Sequence, residues 1–379
     1  MRVEQARWTE GKKWEPVPPG ELGHSAQLVL LFGSTSLLKD KKNVDLVRET
    51  YPDSHIFGCS TAGEIFGTEV SDNSLVMTAL NFKDSTFDGT CIRLSKTKDS
   101  FQAGECLGRS LKKEGLVHVL VLSEGVKVNG SELVRGISKH IPEGVSITGG
   151  LSGDGLNFKE TVVVWDGKAE SNTIAVLGLY GSGLKVGFGS LGGWDPFGPE
   201  RLITKSNGNI LYEVDNKSAL ELYKRYLGDH AEGLPSSALL FPLEVRSKDS
   251  EIGVVRTILG ISETDDSMTF AGDVPEGTYA RLMKANFDRL IGGASTAAQT
   301  SYESVGSVTP DLALLISCVG RKMVLKQRID EEVEGVRNVL GENTVLSGFY
   351  SYGEISPLNS SCKCELHNQT MTITTLSER

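Results

Sequence analysis

The stretch Gly58-Cys59-Ser60-Thr61-Ala62-Gly63-Glu64-Ile65 is written again near the end of the chain as Gly348-Phe349-Tyr350-Ser351-Tyr352-Gly353-Glu354-Ile355. Both copies fit G-x-x-[ST]-x-G-E-I, and each stands between an apolar run and a second strand-like run. Two looser echoes lie between them, Gly149-Gly150-Leu151-Ser152 and Gly292-Gly293-Ala294-Ser295. A glycine-rich turn after a strand lets backbone amides approach a ligand, and it serves equally as a bare tight turn. Four related copies point to a repeated fold unit.

Around the first copy, the continuous apolar run 28–32 reads as a buried strand. Asn43 is placed to cap an amphipathic helix over 44–50, and Pro52 follows as a stop. His55-Ile56-Phe57 leads into the motif, and 75–80 is the next strand, giving β-α-β-β. The order returns with a strand at 118–122, a helix over 131–137, the approach 145–147 to Gly149, and a strand at 174–177. It returns once more with a strand at 312–316, a helix over 329–340 ended by Gly341, the approach 344–346 to Gly348, and alternation over 370–374.

The stretch 184–300 departs from the repeat. It predicts a strand at 184–189, a glycine, proline and aromatic loop over 192–199, a helix over 218–227, and strands at 238–245 and 254–261. A helix over 279–291, capped by Thr278, then delivers Gly292. The predicted fold is α/β, more strictly mixed α+β, with repeated β-α-β-β units forming mixed sheets flanked by helices. Two domains are expected, 25–195 and 196–379, after a lead-in segment 1–24.

Composition narrows the function classes. The net charge of −10, without a basic patch, argues against nucleic-acid or anionic-membrane partners. No apolar run approaches the roughly 20 residues of a membrane span. Residues 1–14 are mixed charged and polar, unlike a secretory signal. Six cysteines in 379 residues do not suggest a disulfide framework. The expected location is the cytoplasm.

The segment 58–64, Gly193-Trp194-Asp195-Pro196 with the 218–227 helix, Gly353-Glu354-Ile355 and Leu366-His367-Asn368-Gln369-Thr370 together resemble the FIST family, sensory proteins with paired FIST N and FIST C domains. The resemblance runs from about 25 to 376. It implies a small-ligand sensor that regulates a separate signalling protein, such as a histidine kinase or a cyclic-di-nucleotide enzyme. Amino acids are the ligand class suggested for the family at large. One stand-alone two-domain branch is described as haem-binding and nitric-oxide-sensing, which makes haem the implied cofactor on that reading and an amino-acid-type ligand the alternative. An enzyme using Cys59, Ser60 or Glu64 and a pure scaffold are rivals of a different class. No catalytic constellation stands out, so a non-enzyme is expected.

The candidate ligand-binding residues are Gly58, Ser60, Thr61, Glu64, Gly149, Ser152, Tyr352, Glu354, His367, Asn368 and Gln369. A carboxylate at Glu64 or Glu354 either grips a ligand ammonium or accepts backbone hydrogen bonds that hold the turn shut. His367, Asn368, Gln369 and Thr370 offer an imidazole, two amides and a hydroxyl, for a polar ligand or to tie down a turn. His230, just past the 218–227 helix with its Tyr223 and Tyr226, and His367 are the alternative haem-iron ligands. Cys362-x-Cys364 with His367 matches no common zinc spacing.

Overall fold

A computed structural model describes residues 1–234, 236–249, 253–357 and 364–379. Its framework is three sheets, each centred on one β-α-β-β unit. In the first unit Leu28–Gly33 and His55–Ser60 run parallel, with Ser74–Asn81 antiparallel to Leu28–Gly33. In the second, Leu116–Ser123 and Ser146–Leu151 are parallel and Thr173–Tyr180 is antiparallel to the former. The third repeats this with Leu312–Cys318, Val345–Ser351 and Met371–Glu378. Helices Lys41–Thr50, Gly130–Ser138 and Ile329–Leu340 connect the parallel pairs.

The inner faces of the three sheets meet in one apolar core. Phe32 and Phe57 of the first unit, Leu120 and Leu177 of the second, and Ile316 and Phe349 of the third all belong to it. The rings of Phe32 and Phe349 lie 4.7 Å apart across a sheet boundary. Strands buried on both faces by this core and by the outer helices explain why they read as unbroken apolar runs.

Each unit also lends the strand that follows its glycine turn to a neighbouring sheet. After the first glycine turn, Glu64–Phe66 joins the third sheet beside Val345–Ser351. After the third turn, Gly353–Pro357 joins the second sheet beside Ser146–Leu151. After the second turn, Val162–Trp165 joins the first sheet beside His55–Ser60. The exchange is cyclic. Three matching bonds mark it: Ala62 N–H to Tyr350 O (2.8 Å), Tyr352 N–H to Leu151 O (3.0 Å) and Gly153 N–H to Ser60 O (2.8 Å).

Between Leu184–Leu191 and the helix Phe287–Ser304, the chain leaves this framework and builds a nine-stranded sheet. The helix Ala219–Leu227 packs on that sheet through Leu220, Tyr223 and Leu227, over Met268, Phe270 and Leu282. The buried Arg321 clamps both crossings. Its guanidinium donates to Gly192 O (2.5 Å) and Leu290 O (2.8 Å) and pairs with Glu332 at 2.7 Å.

The mixed α+β class and the repeated units are as the sequence predicts, but several local readings change. The expected helix 279–291 is a strand, Tyr279–Lys284, followed by a helix Phe287–Ser304 capped by Asn286 rather than Thr278. Tyr279–Lys284 pairs with the strands on both sides, and this sheet context overrides the helix propensity of its Ala, Leu, Met and Lys. Gly292-Gly293-Ala294-Ser295 therefore lies inside a helix and is no copy of the turn. The expected strand 238–245 begins as a 3-10 turn, and only Leu243–Arg246 is extended. The helix over 44–50 starts earlier, at Lys41, capped by Asp40, while the Asn43 side chain donates to Leu37 O. The lead-in holds a strand, Arg2–Thr9, paired along its whole length with Ser74–Asn81.

Candidate functional site

Gly58, Gly149 and Gly348 stand at equivalent places just before the three turns. A Cβ on them would lie 1.8, 1.9 and 1.8 Å from the carbonyl oxygens of Leu31, Val121 and Leu315 on the parallel neighbour. These glycines allow the close strand-to-strand contact. Beyond them the motif hydroxyls and carboxylates close on one another. Thr61 Oγ1 donates to Glu64 Oε1, and Ser74 donates to Glu64 Oε2 through its amide (3.0 Å) and hydroxyl (2.7 Å). Glu354 repeats the pattern: Ser351 Oγ donates to Oε1 (2.7 Å), and Thr370 donates to Oε2 through its amide (3.2 Å) and hydroxyl (3.0 Å).

Each glutamate thus ties its turn to the start of the unit's last strand. Both are buried. Burial pushes the Glu64 carboxyl up to about 7 and that of Glu354 to about 8, against the lowering pull of these hydrogen bonds. The second turn uses Asp154, one position earlier. Its oxygens accept from the amides of Phe158 (2.8 Å), Lys159 (2.9 Å) and Glu160 (2.9 Å) and from the Tyr352 hydroxyl. Tyr352 stacks on Phe158 at 4.3 Å. Ser60 Oγ accepts from Val162 N–H at 2.9 Å, and Ser152 Oγ donates to Ser123 O at 2.7 Å. The geometry is that of closed turns.

His367, Asn368 and Gln369 run on from the Glu354 turn, where His367 faces Glu354 across a strand pair, into the seam between the third unit and the nine-stranded sheet. Trp194 Nε1 donates to Gln369 O at 2.8 Å, and the buried Arg256 donates to Leu366 O at 2.8 Å. Gln369 has φ of +62°, and its Oε1 and the Asn368 Nδ2 are buried without hydrogen-bond partners among the described residues. His367 Nε2 contacts Ser356 O at 2.9 Å, and burial lowers the ring pKa to about 4.

An axial haem ligand needs a free imidazole nitrogen facing a cavity. The His367 ring is buried with Nε2 engaged, and His230 is exposed, its ring tilted against Phe241 at 5.2 Å. As placed, neither position fits a histidine-held haem. Among the described residues no cluster of three or more His, Cys, Asp or Glu could hold a metal ion. Cys362 lies outside the described residues, and Cys364 Sγ donates to Ile147 O.

The concavity with ligand character lies under the 219–227 helix. Ser218 caps this helix by accepting from Glu221 N–H (3.1 Å), and Gly228 ends it at φ of +55°. The helix closes a pocket walled by Phe197, Leu211, Leu222, Tyr223, Met268 and Leu282. Arg201 is the only charged residue among the described residues that line it. Its Nη1 donates to Asp215 Oδ2 (2.8 Å) and its Nη2 to the Tyr226 hydroxyl (2.8 Å), while its Nε has no partner among the described residues. Sequence reasoning noted the aromatic helix but not Arg201. The two share a site only because hairpins bring strands 201–207, 210–214 and 267–270 together.

Among the described residues no helix is long and apolar enough to cross a membrane. The protein MJ1623 of Methanocaldococcus jannaschii, described as uncharacterized, is 21% identical over 345 residues, covering 81% of this chain and 62% of that relative. The chain thus spans 62% of the length of the curated relative it matches. Among solved structures, a chorismatase aligns over 98% of both chains at 10% identity and a TM-score of 0.36. A cyanuric acid hydrolase aligns over 100% of this chain and 99% of its own at 8% identity and a TM-score of 0.33. The FIST N domain matches residues 27–217 and the FIST C domain residues 219–357, so the chain belongs to the FIST family.

Proposed function

We propose that this chain is a cytoplasmic sensor that takes a small molecule into the pocket under the 219–227 helix and regulates a separate signalling protein, such as a histidine kinase. FIST domains are sensory ligand-binding domains associated with signalling proteins. The observation that carries the reading is the pocket itself: apolar walls with a few convergent polar groups are the usual form of a small-ligand site. The seam offers a route for the signal, since Trp194, Arg256 and Arg321 tie the nine-stranded sheet to the body by buried hydrogen bonds. Binding is favoured over catalysis because the Cys59 thiol is buried with its pKa pushed up, and Ser60 and Glu64 are spent on the turn.

The test uses the full chain with 3-phenylpropanol as a neutral probe. Saturating probe is expected to raise the melting temperature and to slow amide exchange both around the pocket and at 366–370. Leu222→Trp, which fills the pocket, should abolish both effects. No change in melting sinks the pocket, and protection confined to the pocket sinks the seam as relay. A haem reading returns if haemin gives a Soret band that weakens in His230→Ala or His367→Ala.

A further inference from the structure

We infer that the strand Thr86–Arg93 is a docking edge for a second copy of this chain, the two strands pairing antiparallel about a two-fold axis at Thr90. The inference does not depend on the pocket. Thr86–Arg93 is the outer strand of the second sheet, and it pairs with Thr173–Tyr180 residue for residue, without a bulge. Just beyond it, Leu94 N–H donates to Asn172 O at 2.9 Å. Residues of an antiparallel strand alternate between bonding toward one neighbour and toward the other. Even positions therefore bond inward to Thr173–Tyr180, and 87, 89, 91 and 93 turn their amides and carbonyls outward. Gly89 N–H agrees with this, since its acceptor is the adjacent Asp88 Oδ1, at 2.9 Å, and not a strand. Among the described residues, no backbone partner reaches this outer side.

A long open edge is a template for another strand unless something blunts it. Leu184–Leu191, an outer strand of the same eight residues, packs against the helix Phe287–Ser304, and Ser304 Oγ meets its Phe188 N–H at 3.3 Å. Thr86–Arg93 carries neither a proline nor a bulge, and what blocks it is the Asp88 carboxylate on Gly89 N–H. The occupant follows from the strand's own order of residues. With Thr90 on the axis, the outward pairs are Phe87 with Arg93 of the second copy and Gly89 with its Cys91. Gly89 leaves room beside the half-buried Cys91, and Thr90 meets Thr90, a favourable cross-strand pair. Asp88 lies before the axis, and Arg93 and Lys96 lie after it. An antiparallel second copy thus lays the acidic half of each segment against the basic half of the other. Such a contact is self-complementary and closes, joining two six-stranded sheets into one. On docking, Asp88 releases Gly89 N–H to Cys91 O of the second copy.

Sedimentation velocity of the full chain from about 1 to about 200 μM reads the association. A single strand pair is a small interface, so a reversible dimer dissociating on the order of 10 μM is expected. Cys91→Pro removes an outward N–H and spares the bonds to Thr173–Tyr180, as proline does on an edge strand. It should weaken the dimer about tenfold or more while the melting temperature stays close to that of the parent. The register has its own test. Thr90→Cys, made together with Cys106→Ser to remove an exposed thiol, should cross-link across the axis on mild oxidation. Facing residues of a non-hydrogen-bonded antiparallel pair lie about 4.5 Å apart, within disulfide reach. Thr86→Cys in the same background faces Leu94 and should not cross-link. A monomer at every concentration overturns the inference. So does a dimer that survives in a folded Cys91→Pro protein, or one that Thr90→Cys fails to cross-link. Should Cys91→Pro not fold, the cross-linking decides alone.

Discussion

At the junction of the three turns, both oxygens of Glu64 and of Glu354 are engaged by a hydroxyl and a strand-start amide from within the chain. In the pocket under the 219–227 helix, by contrast, apolar walls stand beside Arg201, whose Nε has no partner among the described residues. The junction is rich in the residue types that suggest ligand binding, and it has used them up. The pocket is poor in such residues and has one left over. Where buried polar groups satisfy each other they fix a fold. A group left unsatisfied needs an explanation from outside the chain.

The largest test of this contrast is Gly58→Ala. Its Cβ would sit 1.8 Å from Leu31 O, a backbone atom that moves only if the parallel pair opens. The loss of stability is expected to exceed about 4 kcal/mol or to prevent folding, as read by urea denaturation. A well-folded Gly58→Ala protein would return this glycine to the list of ligand-contacting candidates. Arg321→Met comes next, with an expected cost of about 3–5 kcal/mol, because it strands the buried Glu332 and frees the carbonyls of Gly192 and Leu290. If the crossings into the nine-stranded sheet do not depend on this clamp, the loss will be under about 1 kcal/mol.

How far the molecule is legible in its sequence follows the same division. The three units can be read because their strands are buried on both faces, so the apolar runs are unbroken and the glycines recur where two backbones touch. The exchange of the strands that follow the turns is not legible. Glu64–Phe66 has three residues and no period of its own, and Asp154 does the work of a motif carboxylate from one position away. Tyr279–Lys284 misleads because helix propensity is a weak prior that strands on both sides override. Arg201 carries no local signal at all, since its neighbours in the pocket come from 197, 226, 268 and 282. The seam at 366–370 is a middle case: the amides of Asn368 and Gln369 are visible as candidates, but not that Asn368 Nδ2 and Gln369 Oε1 have no partner among the described residues at a joint.

The buried glutamates give the junction a pH signature that the pocket lacks. Glu64 and Glu354 bind their protons more tightly in the fold than the ordinary 4.5, at about 7 and about 8. Their contribution is complete below about 4.5 and is lost as pH rises through those folded values. His118 and His367 run the other way. Burial lowers them from 6.5 to about 3 and about 4, so their contribution is present above 6.5 and lost as pH falls through the folded values. Stability should therefore decline as pH rises through about 7 and 8, the folded values of the two glutamates. Glu354→Gln keeps an acceptor for Thr370 and should remove up to about 1.4 kcal/mol per pH unit of that decline. Urea titrations at about pH 6, 7.5 and 9 decide it. Parallel profiles for the two proteins would mean that Glu354 is already ionised in its turn.

The smallest effect sharpens the comparison most, because it pits sequence likeness against geometry. Gly292 opens the Gly-Gly-Ala-Ser echo, yet it lies within the helix Phe287–Ser304 and a Cβ there meets nothing within 4 Å. Alanine at this place removes backbone freedom from the unfolded chain and adds helix propensity, so Gly292→Ala should stabilise the protein by about 0.5–1 kcal/mol. The same substitution at Gly149, the echo that is a true copy, meets Val121 O at 1.9 Å and should destabilise strongly. Two glycines with the same following pattern then respond with opposite signs. Were both to destabilise, the 292 segment would share a constraint with the turns that its helical geometry does not contain.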